Sequence, residues 1–344
     1  MKNKNLNSTV FIVHRGNQKH LTSIILSAKL SSNKVYYIGD QNISNQLLSK
    51  NQIIRPDFNK IPFLDKFSKV WKHQSIDEVR WSFGCFTRHF FVLEAASRLK
   101  LSDFWIIDSD FMLLENLHDI SVTLKQKGFE GALSTSHCNN KYYMASAPHC
   151  SFWNIHSLRE FILFTIDQYK NNSKMLMKKY LYHKNKKLEG GVCDMTLLYL
   201  WKNKTKRKIY NSVNLIRSKL LIDHNINFQS DFYALDDFSK GQNKSILKKK
   251  LHFVMEDFLG VKKIRKDKDS FYVIRADGSK TKVIGLHFQG AAKILIKRFM
   301  FFKSTYFIFF IDIILIKLLK RIIRKLLTYT KFFIMYNEDK KIKL

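Results

Sequence analysis

The chain has only three prolines in 344 residues, and no Ser/Gly-rich tract interrupts it. Flexible linkers and low-complexity segments are built from such residues, so the composition argues against both. Four cysteines (Cys85, Cys138, Cys150 and Cys193) show no Cys-x-x-Cys spacing, and we predict free thiols in a reducing cytosol and no zinc site. Because the first eight residues are polar, no secretory signal is expected.

Acidic residues are scarce relative to basic ones. The 28 Asp and Glu residues stand against 60 Lys and Arg residues, which gives a net charge of +32. Basic residues cluster at 174–187 and 202–208, and we expect both clusters to be exposed helix ends or loops. A charge of this size indicates an anionic partner, either nucleic acid or a membrane surface.

The C-terminal segment favours the membrane over nucleic acid. Residues 299–336 are rich in Phe, Ile and Leu, and the cations within them recur at three- and four-residue spacing. Those cations are Lys317, Lys320, Arg321, Arg324 and Lys325. The pattern is typical of an amphipathic helix that lies in a bilayer interface, and the apolar run before it is too short for a span of about 20 residues. We expect peripheral attachment at the inner face of the cytoplasmic membrane, with a membrane span or a core-packed helix as alternatives.

The N-terminal pattern predicts an α/β fold. A strand over 9–14, a helix over 18–30 and a strand over 34–39 follow one another, as at the start of an open sheet whose ligands bind beyond the carboxyl ends of the strands. With 45% hydrophobic residues, the chain can form one large domain, which we assign to 1–298, followed by a tail at 299–344.

An apolar run that ends in two carboxylates occupies residues 104–110, Phe-Trp-Ile-Ile-Asp-Ser-Asp. Aromatic and β-branched residues in such a run predict a buried central strand. Because alternate residues of a strand project to the same side, Asp108 and Asp110 can share one divalent cation whose other positions phosphate oxygens fill. The alternative is a pair of solvated acids at a strand end, since Asp-x-Asp alone is a weak motif.

A second motif lies far along the chain, at residues 283–293, Val-Ile-Gly-Leu-His-Phe-Gln-Gly-Ala-Ala-Lys. The apolar residues of this segment again predict a strand, and His287, Gly290 and Lys293 follow at three-residue intervals. A lone histidine here would be interpreted as a satisfied side chain at a strand end. The glycine and lysine at these offsets favour a phosphate-binding and metal-binding segment instead.

The two motifs together resemble those of glycosyltransferase family 8 and its relatives with the GT-A fold, which pair Asp-x-Asp after a strand with a C-terminal His-x-x-Gly-x-x-Lys. The resemblance implies an open, mostly parallel sheet flanked by helices and a nucleotide-sugar donor, expected to be a UDP-sugar. It also implies that Asp108, Asp110 and His287 hold Mn²⁺ (or Mg²⁺) beneath the donor diphosphate. Gly290 would let the backbone approach the phosphates, and Lys293 would neutralise them.

A third segment, residues 188–196, extends the resemblance. The family places an acidic residue here, at the start of a helix, close to the anomeric carbon of the donor sugar, which makes Asp194 the candidate and Glu189 the second choice. The family commonly has Asp-Gln, whereas this chain has Asp194-Met195, so the chemical role at this position stays open. The alternative for Asp194 is a favourable interaction with the helix dipole.

The long helical pattern at 77–101 contains three arginines. Family 8 members carry an arginine about twenty residues before Asp-x-Asp that reaches the donor sugar. The resemblance assigns that role to Arg88, with Arg80 as a possible helper, while Arg98 is interpreted as part of a solvated helix face.

The remaining donor contacts are expected from glycines and from the first loop. Gly190 and Gly191 would contact the donor, form a tight turn, or do both. The first loop of such enzymes holds the base and ribose, and Asn17 is the residue in range of that loop. The identity of the base is an expectation from the family.

We therefore expect a hexosyltransferase that acts on a glycan or a lipid-linked acceptor, such as a surface polysaccharide or lipooligosaccharide, and the resemblance implies that it retains anomeric configuration. A sugar-nucleotide nucleotidyltransferase is one alternative, although residues 14–17, His-Arg-Gly-Asn, are a poor version of its Gly-rich loop. A non-catalytic protein that binds membrane or nucleic acid is the other alternative. It would explain the net charge, but it would not explain why Asp-x-Asp and His-x-x-Gly-x-x-Lys occur in the expected order along the chain.

Overall fold

A computed structural model describes residues 7–136, 142–188, 190–229, 253–256, 260–267 and 270–301. The helices of the described residues are α1 (Leu21–Leu30), α2 (Leu64–Val70), α3 (Val79–Arg98), α4 (His118–Gln126), α5 (Ile155–Asn171), α6 (Ser173–Asn185), α7 (Asp194–Lys204) and α8 (Ile294–Phe301). Short 3-10 helices lie at Lys50–Gln52, Phe58–Lys60, Ser212–Ser218 and Gly290–Lys293.

The strands form two main sheets and one small pair. They are β1 (Thr9–His14), β2 (Lys34–Gly39), β3 (Ile53–Ile54), β4 (Asp103–Ile107), β5 (Phe111–Leu113), β6 (Gly131–Thr135), β7 (Ser146–Asn154), β8 (Ile209–Asn211), β9 (Leu220–Ile222), β10 (Met255–Glu256), β11 (Val261–Lys262), β12 (Ile264–Asp267), β13 (Ser270–Ile274) and β14 (Lys280–His287).

The larger sheet has seven strands in the order β3-β2-β1-β4-β7-β6-β8. The β3–β2, β2–β1, β1–β4 and β6–β8 pairs are parallel, and β7 runs antiparallel to both β4 and β6. The predicted open, mostly parallel sheet is therefore confirmed. Because β1 pairs with both β2 and β4, the carboxyl ends of these three strands meet at the edge where such sheets bind ligands.

Helices cover both faces of this sheet because the central strand β4 is apolar on both sides. Trp105 and Ile107 pack into the cluster that contains α1, while Phe104 and Ile106 pack into the cluster that contains α3 and α5. All four side chains are buried. This alternation of one apolar run between two cores is the arrangement expected of a strand inside an α/β domain.

The second sheet joins segments that lie far apart in the chain. Its order is β12-β13-β14-β5, and β9 also pairs with β14. Strand β5 follows directly after Asp110 and runs antiparallel to β14, with Phe111 opposite His287 and Leu113 opposite Gly285. A side chain at Gly285 would place its Cβ 2.4 Å from the Phe111 ring and 2.8 Å from the Met112 carbonyl oxygen, so glycine allows the close approach of these strands.

Several boundaries differ from the sequence predictions for local reasons. Strand β4 ends at Ile107, and Asp108 and Asp110 lie in the turn that follows it, so the turn and not strand alternation brings the carboxylates together. Helix α7 begins at Asp194 because Cys193, its N-cap residue, has an extended backbone (φ −132°, ψ −177°).

Two helical predictions in the first half were too long. Helix α1 begins at Leu21, after a turn at residues 19–20, and α3 covers Val79–Arg98 within the predicted 77–101. The basic segment 174–187 is mostly helix α6, and there the expectation of general exposure was wrong for Lys179. That side chain is buried and donates to the carbonyl oxygens of Tyr142 (2.8 Å) and Tyr143 (2.9 Å).

The predicted tail lies mostly outside the described residues. Helix α8 continues through the proposed boundary after Arg298 as far as Phe301, and the division of the chain into 1–298 and 299–344 stays a prediction. Among the described residues, Cys85, Cys150 and Cys193 are free thiols.

Candidate functional site

The turn after β4 presents two carboxylates at the edge of the main sheet. The backbone N–H of Asp108 donates to the carbonyl oxygen of His149 on the neighbouring strand β7 (2.9 Å), and the N–H of Phe111 donates to the carbonyl oxygen of Asp108 (3.0 Å). Asp110 is buried and Asp108 is half-buried. The backbone of the turn is thus fixed by hydrogen bonds at both of its ends.

His287, at the end of β14, completes a group of three. Its Nε2 lies 3.2 Å from Asp110 Oδ1 and 3.8 Å from Asp108 Oδ2. Its Nδ1 lies 2.6 Å from the carbonyl oxygen of His224. A carbonyl can only accept, so Nδ1 carries a proton; an ionised carboxylate also only accepts, so Nε2–H donates to Asp110 Oδ1 as long as no ion is bound. A metal ion would take the place of the Nε2 proton, and the contact of Nδ1 would then keep the ring in the tautomer that offers Nε2 to the ion.

The charges of these side chains shift one another's pKa values. Burial acts to raise the pKa of Asp110, but the hydrogen bond and charge of His287 and the charge of Lys293 outweigh it and hold that pKa well below its usual range. Burial likewise acts against protonated His287, but Asp110 and then Asp108 outweigh it and raise the pKa of the imidazole. The carboxylates therefore favour a cation at this position.

The three side chains fit a divalent ion. One ligand atom from each of Asp108, Asp110 and His287 can be chosen so that all three lie within 4.8 Å of one another. Two carboxylates and a neutral imidazole are a donor set that suits Mn²⁺, and the contact of Nδ1 with a backbone carbonyl is the usual support for a histidine ligand.

Lys293 lies beside this group. The 3-10 turn Gly290–Lys293 follows β14, and Lys293 Nζ is 3.0 Å from Asp110 Oδ2 while its side chain is 39% exposed. An ammonium that is both near the carboxylates and open to solvent can also meet an anionic ligand. Gly290 has φ +55°, and a Cβ there would meet no atom within 4 Å, so its contact with phosphate stays a prediction.

Arg88 links the turn that carries Asp108 to the start of α7. Its guanidinium pairs with Asp108 and with Asp194, and its Nε is 3.2 Å from Asp194 Oδ2. Asp194 is buried and also lies 3.3 Å from His89 Nε2. Burial acts to raise the pKa of Asp194, but Arg88 and His89 outweigh it, so the carboxylate stays ionised with its pKa lowered.

Gly190 and Gly191 have a structural role in the loop before α7. The carbonyl oxygen of Gly190 accepts from the N–H of Ile76 (3.0 Å). A Cβ at Gly191, where φ is +132°, would lie 2.6 Å from the carbonyl oxygen of Gln74. These contacts hold the loop against the segment that leads into α3. Donor contacts by the two glycines stay a prediction.

The loop after β1 is exposed at Asn17. The N–H of Gly16 donates to Asp40 Oδ1 (2.8 Å), and the N–H of Gln18 donates to Gln41 Oε1 (2.9 Å). The loops after β1 and β2 are therefore tied together beside the site, and a contact of Asn17 with the donor stays a prediction.

Arg80 and Glu189 were the second-choice residues of the sequence analysis. Arg80 is exposed. Glu189 lies outside the described residues. Arg98, predicted to be part of a solvated face, is 59% exposed at its side chain.

Sequence reasoning missed several histidines around the site. The ring of His149, buried in β7, stacks on His287 with centroids 4.8 Å apart and an interplanar angle of 13°. His14, at the end of β1, lies 2.9 Å from Ser109 Oγ, and burial together with His20 and Lys293 lowers its pKa to about 4. The position of His149 in the buried strand β7 was the available signal.

Comparison with known proteins gives no match to a protein-family model and none to a curated protein. Solved structures similar to this chain include mouse xyloside xylosyltransferase 1 in its apo form, with 9% identity, a TM-score of 0.41, and coverage of 60% of this chain and 84% of that one. The galactosyltransferase LgtC with donor and acceptor sugar analogues has 12% identity, a TM-score of 0.33, and coverage of 55% and 69%. A cytidylyltransferase from Leptospira borgpetersenii has 10% identity, a TM-score of 0.27, and coverage of 57% and 94%.

Glycosyltransferases are thus among the solved structures similar to this chain, as the sequence motifs led us to expect. All three TM-scores are below 0.5. These likenesses therefore assign no function, which has to follow from the residues of the site.

The charge of Asp194 should make the stability of this protein sensitive to acid. Because its pKa is lowered in the folded state, the stabilisation is present above the ordinary value and is lost as the pH falls through the folded-state value. We expect Asp194→Asn to lower the free energy of unfolding by about 3 kcal/mol at pH 7, and the difference from wild type to shrink at acidic pH. Urea unfolding at several pH values measures both.

Asp65→Asn is the matched control, because Asp65 forms an exposed pair with Lys69 on α2. It should change the free energy of unfolding by less than about 1 kcal/mol at any pH. A loss at Asp194→Asn that stays constant down to strongly acidic pH would contradict the assignment of an ionised, paired carboxylate.

Proposed function

We propose that this protein is a metal-dependent glycosyltransferase that moves a sugar from a nucleotide-sugar donor, a UDP-sugar, to an acceptor. The observation that carries the proposal is the convergence of Asp108, Asp110 and His287. These residues come from two distant segments and meet at the edge where parallel sheets bind ligands. The cationic Lys293 beside them has a side chain open to solvent.

In the proposed reaction, Asp108, Asp110 and His287 hold Mn²⁺ or Mg²⁺. When bound, the ion would stabilise the negative charge that develops on the departing diphosphate. Lys293 adds a second positive charge at the same place and leaves its contact with Asp110 for the phosphates. The turn Gly290–Lys293 brings this side chain to the donor.

Arg88 and Asp194 are proposed to position the donor sugar. Arg88 contacts both a proposed metal ligand, Asp108, and the buried carboxylate of Asp194. A planar guanidinium held between two carboxylates is a rigid donor of hydrogen bonds. It can therefore fix a sugar hydroxyl next to the diphosphate. Retention of anomeric configuration, suggested by the resemblance to family 8, is part of the proposal.

Metal-dependent donor binding should require Asp110. Calorimetric titration with UDP in the presence of Mn²⁺ should show binding to wild type and at least a tenfold loss for Asp110→Ala, because one carboxylate ligand is removed. Asp103→Ala is the control, since Asp103 lies at the other end of β4 and pairs with Lys125 at the surface. Unchanged affinity for UDP and Mn²⁺ in Asp110→Ala would refute the site.

Arg88 should affect sugar transfer more than nucleotide binding. Arg88→Lys keeps a positive charge but loses the planar fork that joins Asp108 to Asp194, so we expect release of sugar from UDP-glucose or UDP-galactose to fall at least tenfold. The affinity for UDP in the presence of Mn²⁺ should change less than about threefold, which is no more than the loss of one weak hydrogen bond. Arg98→Lys, on the exposed end of the same helix, should match wild type in both measurements. The opposite pattern, weak UDP binding with normal turnover, would place Arg88 in the nucleotide pocket.

The acceptor is proposed to be a glycan or a glycolipid at the inner face of the cytoplasmic membrane, with the basic segment 299–344 as the attachment. Within the described part of the chain, no helix is long and apolar enough to span a bilayer. Residues 302–344 lie outside that part. The support for the attachment is their basic amphipathic pattern.

Attachment through this segment should depend on anionic lipid and on salt. Each Lys or Arg near such a surface contributes about 1 kcal/mol, so the protein should float with phosphatidylglycerol vesicles at low salt and less at high salt. A chain ending at Phe301 should not float and should still hydrolyse the donor. Equal flotation on neutral and anionic vesicles at high salt would instead favour a membrane span.

A further inference from the structure

A lysine and an aspartate form a fully buried ion pair beneath the candidate site. Lys262, on β11, is 2% exposed and Asp223, just after β9, is 0% exposed. Lys262 Nζ lies 2.5 Å from Asp223 Oδ1 and 2.6 Å from the carbonyl oxygen of Asn225. The backbone N–H of Lys262 also donates to the carbonyl oxygen of Ile226 (2.8 Å). One residue thus holds the segment 223–226 at three points.

That segment in turn surrounds His287. Asp223 Oδ2 accepts from the backbone N–H of His287 (3.2 Å), and the carbonyl oxygen of His224 accepts from the ring Nδ1 (2.6 Å). The carbonyl oxygen of His287 accepts from the N–H of Ile226 (3.0 Å). The backbone and the ring of His287 are therefore both set by residues that Lys262 holds in place.

A buried ion pair is an expensive way to stabilise a fold. In many proteins, the free energy needed to remove two charges from water is as large as the free energy gained from their attraction. Apolar residues of similar size often stabilise the fold equally well. The Lys262–Asp223 pair therefore calls for a reason beyond stability. Its hydrogen bonds lead to one side chain, His287, whose Nε2 must face Asp108 and Asp110 for all three to bind one ion.

We infer that Lys262 is a positioning residue of the proposed metal site. It acts through Asp223 and the 223–226 backbone to fix the orientation and the tautomer of His287. The inference rests on the proposed function, since it assumes that His287 is a metal ligand. It adds to that proposal a residue from a different sheet that touches neither metal nor substrate.

The test is a titration of the full-length protein with Mn²⁺ alone, in which electron paramagnetic resonance measures the free ion. Lys262→Met removes the ammonium but keeps the length of the side chain, and we expect the dissociation constant to rise 10- to 100-fold, as for other supports of metal ligands. Lys282→Met is the matched control, because Lys282 lies on β14 and pairs with Glu115 (3.0 Å). It should bind Mn²⁺ as wild type does.

Thermal unfolding of the same proteins separates positioning from stability. A purely structural Lys262 would lower the melting temperature of Lys262→Met, yet the folded protein, titrated well below that temperature, would bind Mn²⁺ with the wild-type dissociation constant. That result would overturn the inference and leave the metal site standing. Wild-type protein that binds no Mn²⁺ would instead overturn the metal site and this inference with it.

A double variant keeps the test decisive if Lys262→Met does not fold. Asp223→Asn combined with Lys262→Met leaves no buried charge without a partner, and the new amide oxygen can still accept from the N–H of His287. The carbonyl oxygen of Asn225 then keeps the N–H of Phe228 (3.1 Å) but loses the ammonium of Lys262. The dissociation constant for Mn²⁺ should therefore stay at least about fivefold above that of wild type, somewhat below the effect of losing a full support. Wild-type affinity in the double variant would refute the role of Lys262.

Discussion

The antiparallel pairing of β5 with β14 is the interaction on which the candidate site depends. It joins the chain directly after Asp110 to the strand that carries His287, although the two residues are 177 positions apart. The register, with Phe111 opposite His287, brings the imidazole to the carboxylates. A shift of one residue would turn the imidazole to the other face of the strand. The lack of a side chain at Gly285 allows this pairing because the Phe111 ring fills the space.

The charges of the site form one balanced network around that pairing. Arg88 joins Asp108 to Asp194, while His287 and Lys293 face Asp110. Buried carboxylates without partners would be costly, and each of these has at least one cation within contact distance. An ion and an anionic donor that enter such a network would replace contacts of Lys293 and His287 rather than create charge in an apolar space. The arrangement is therefore suited to charged ligands.

The individual elements of the site were largely predictable because they depend on local pattern. Strands β1 and β2 have the predicted bounds, 9–14 and 34–39, since each is a short, continuous apolar run with turn-forming residues on both sides. The motifs around Asp108 and His287 were recognisable by their spacing. The interpretation of Asp108 and Asp110 as alternate residues of one strand was wrong, because a hydrogen bond from Phe111 to Asp108 closes a turn at that point. Lys179 was misjudged because the carbonyl groups that bind it come from a distant segment.

By itself the sequence determined the types of the elements and the residues that could carry chemistry, because helical and strand periodicity and short motifs are properties of neighbouring positions. The meeting of Asp108, Asp110 and His287 was implied by the resemblance and is brought about by the tertiary fold. Only the tertiary structure decided that Arg88 reaches both Asp108 and Asp194 and that Lys262 and Asp223 lie beneath His287. No local pattern marks Lys262 among the 60 basic residues. Its environment arises from strand pairings between distant segments, and burial and partners depend on those pairings rather than on neighbours in the chain.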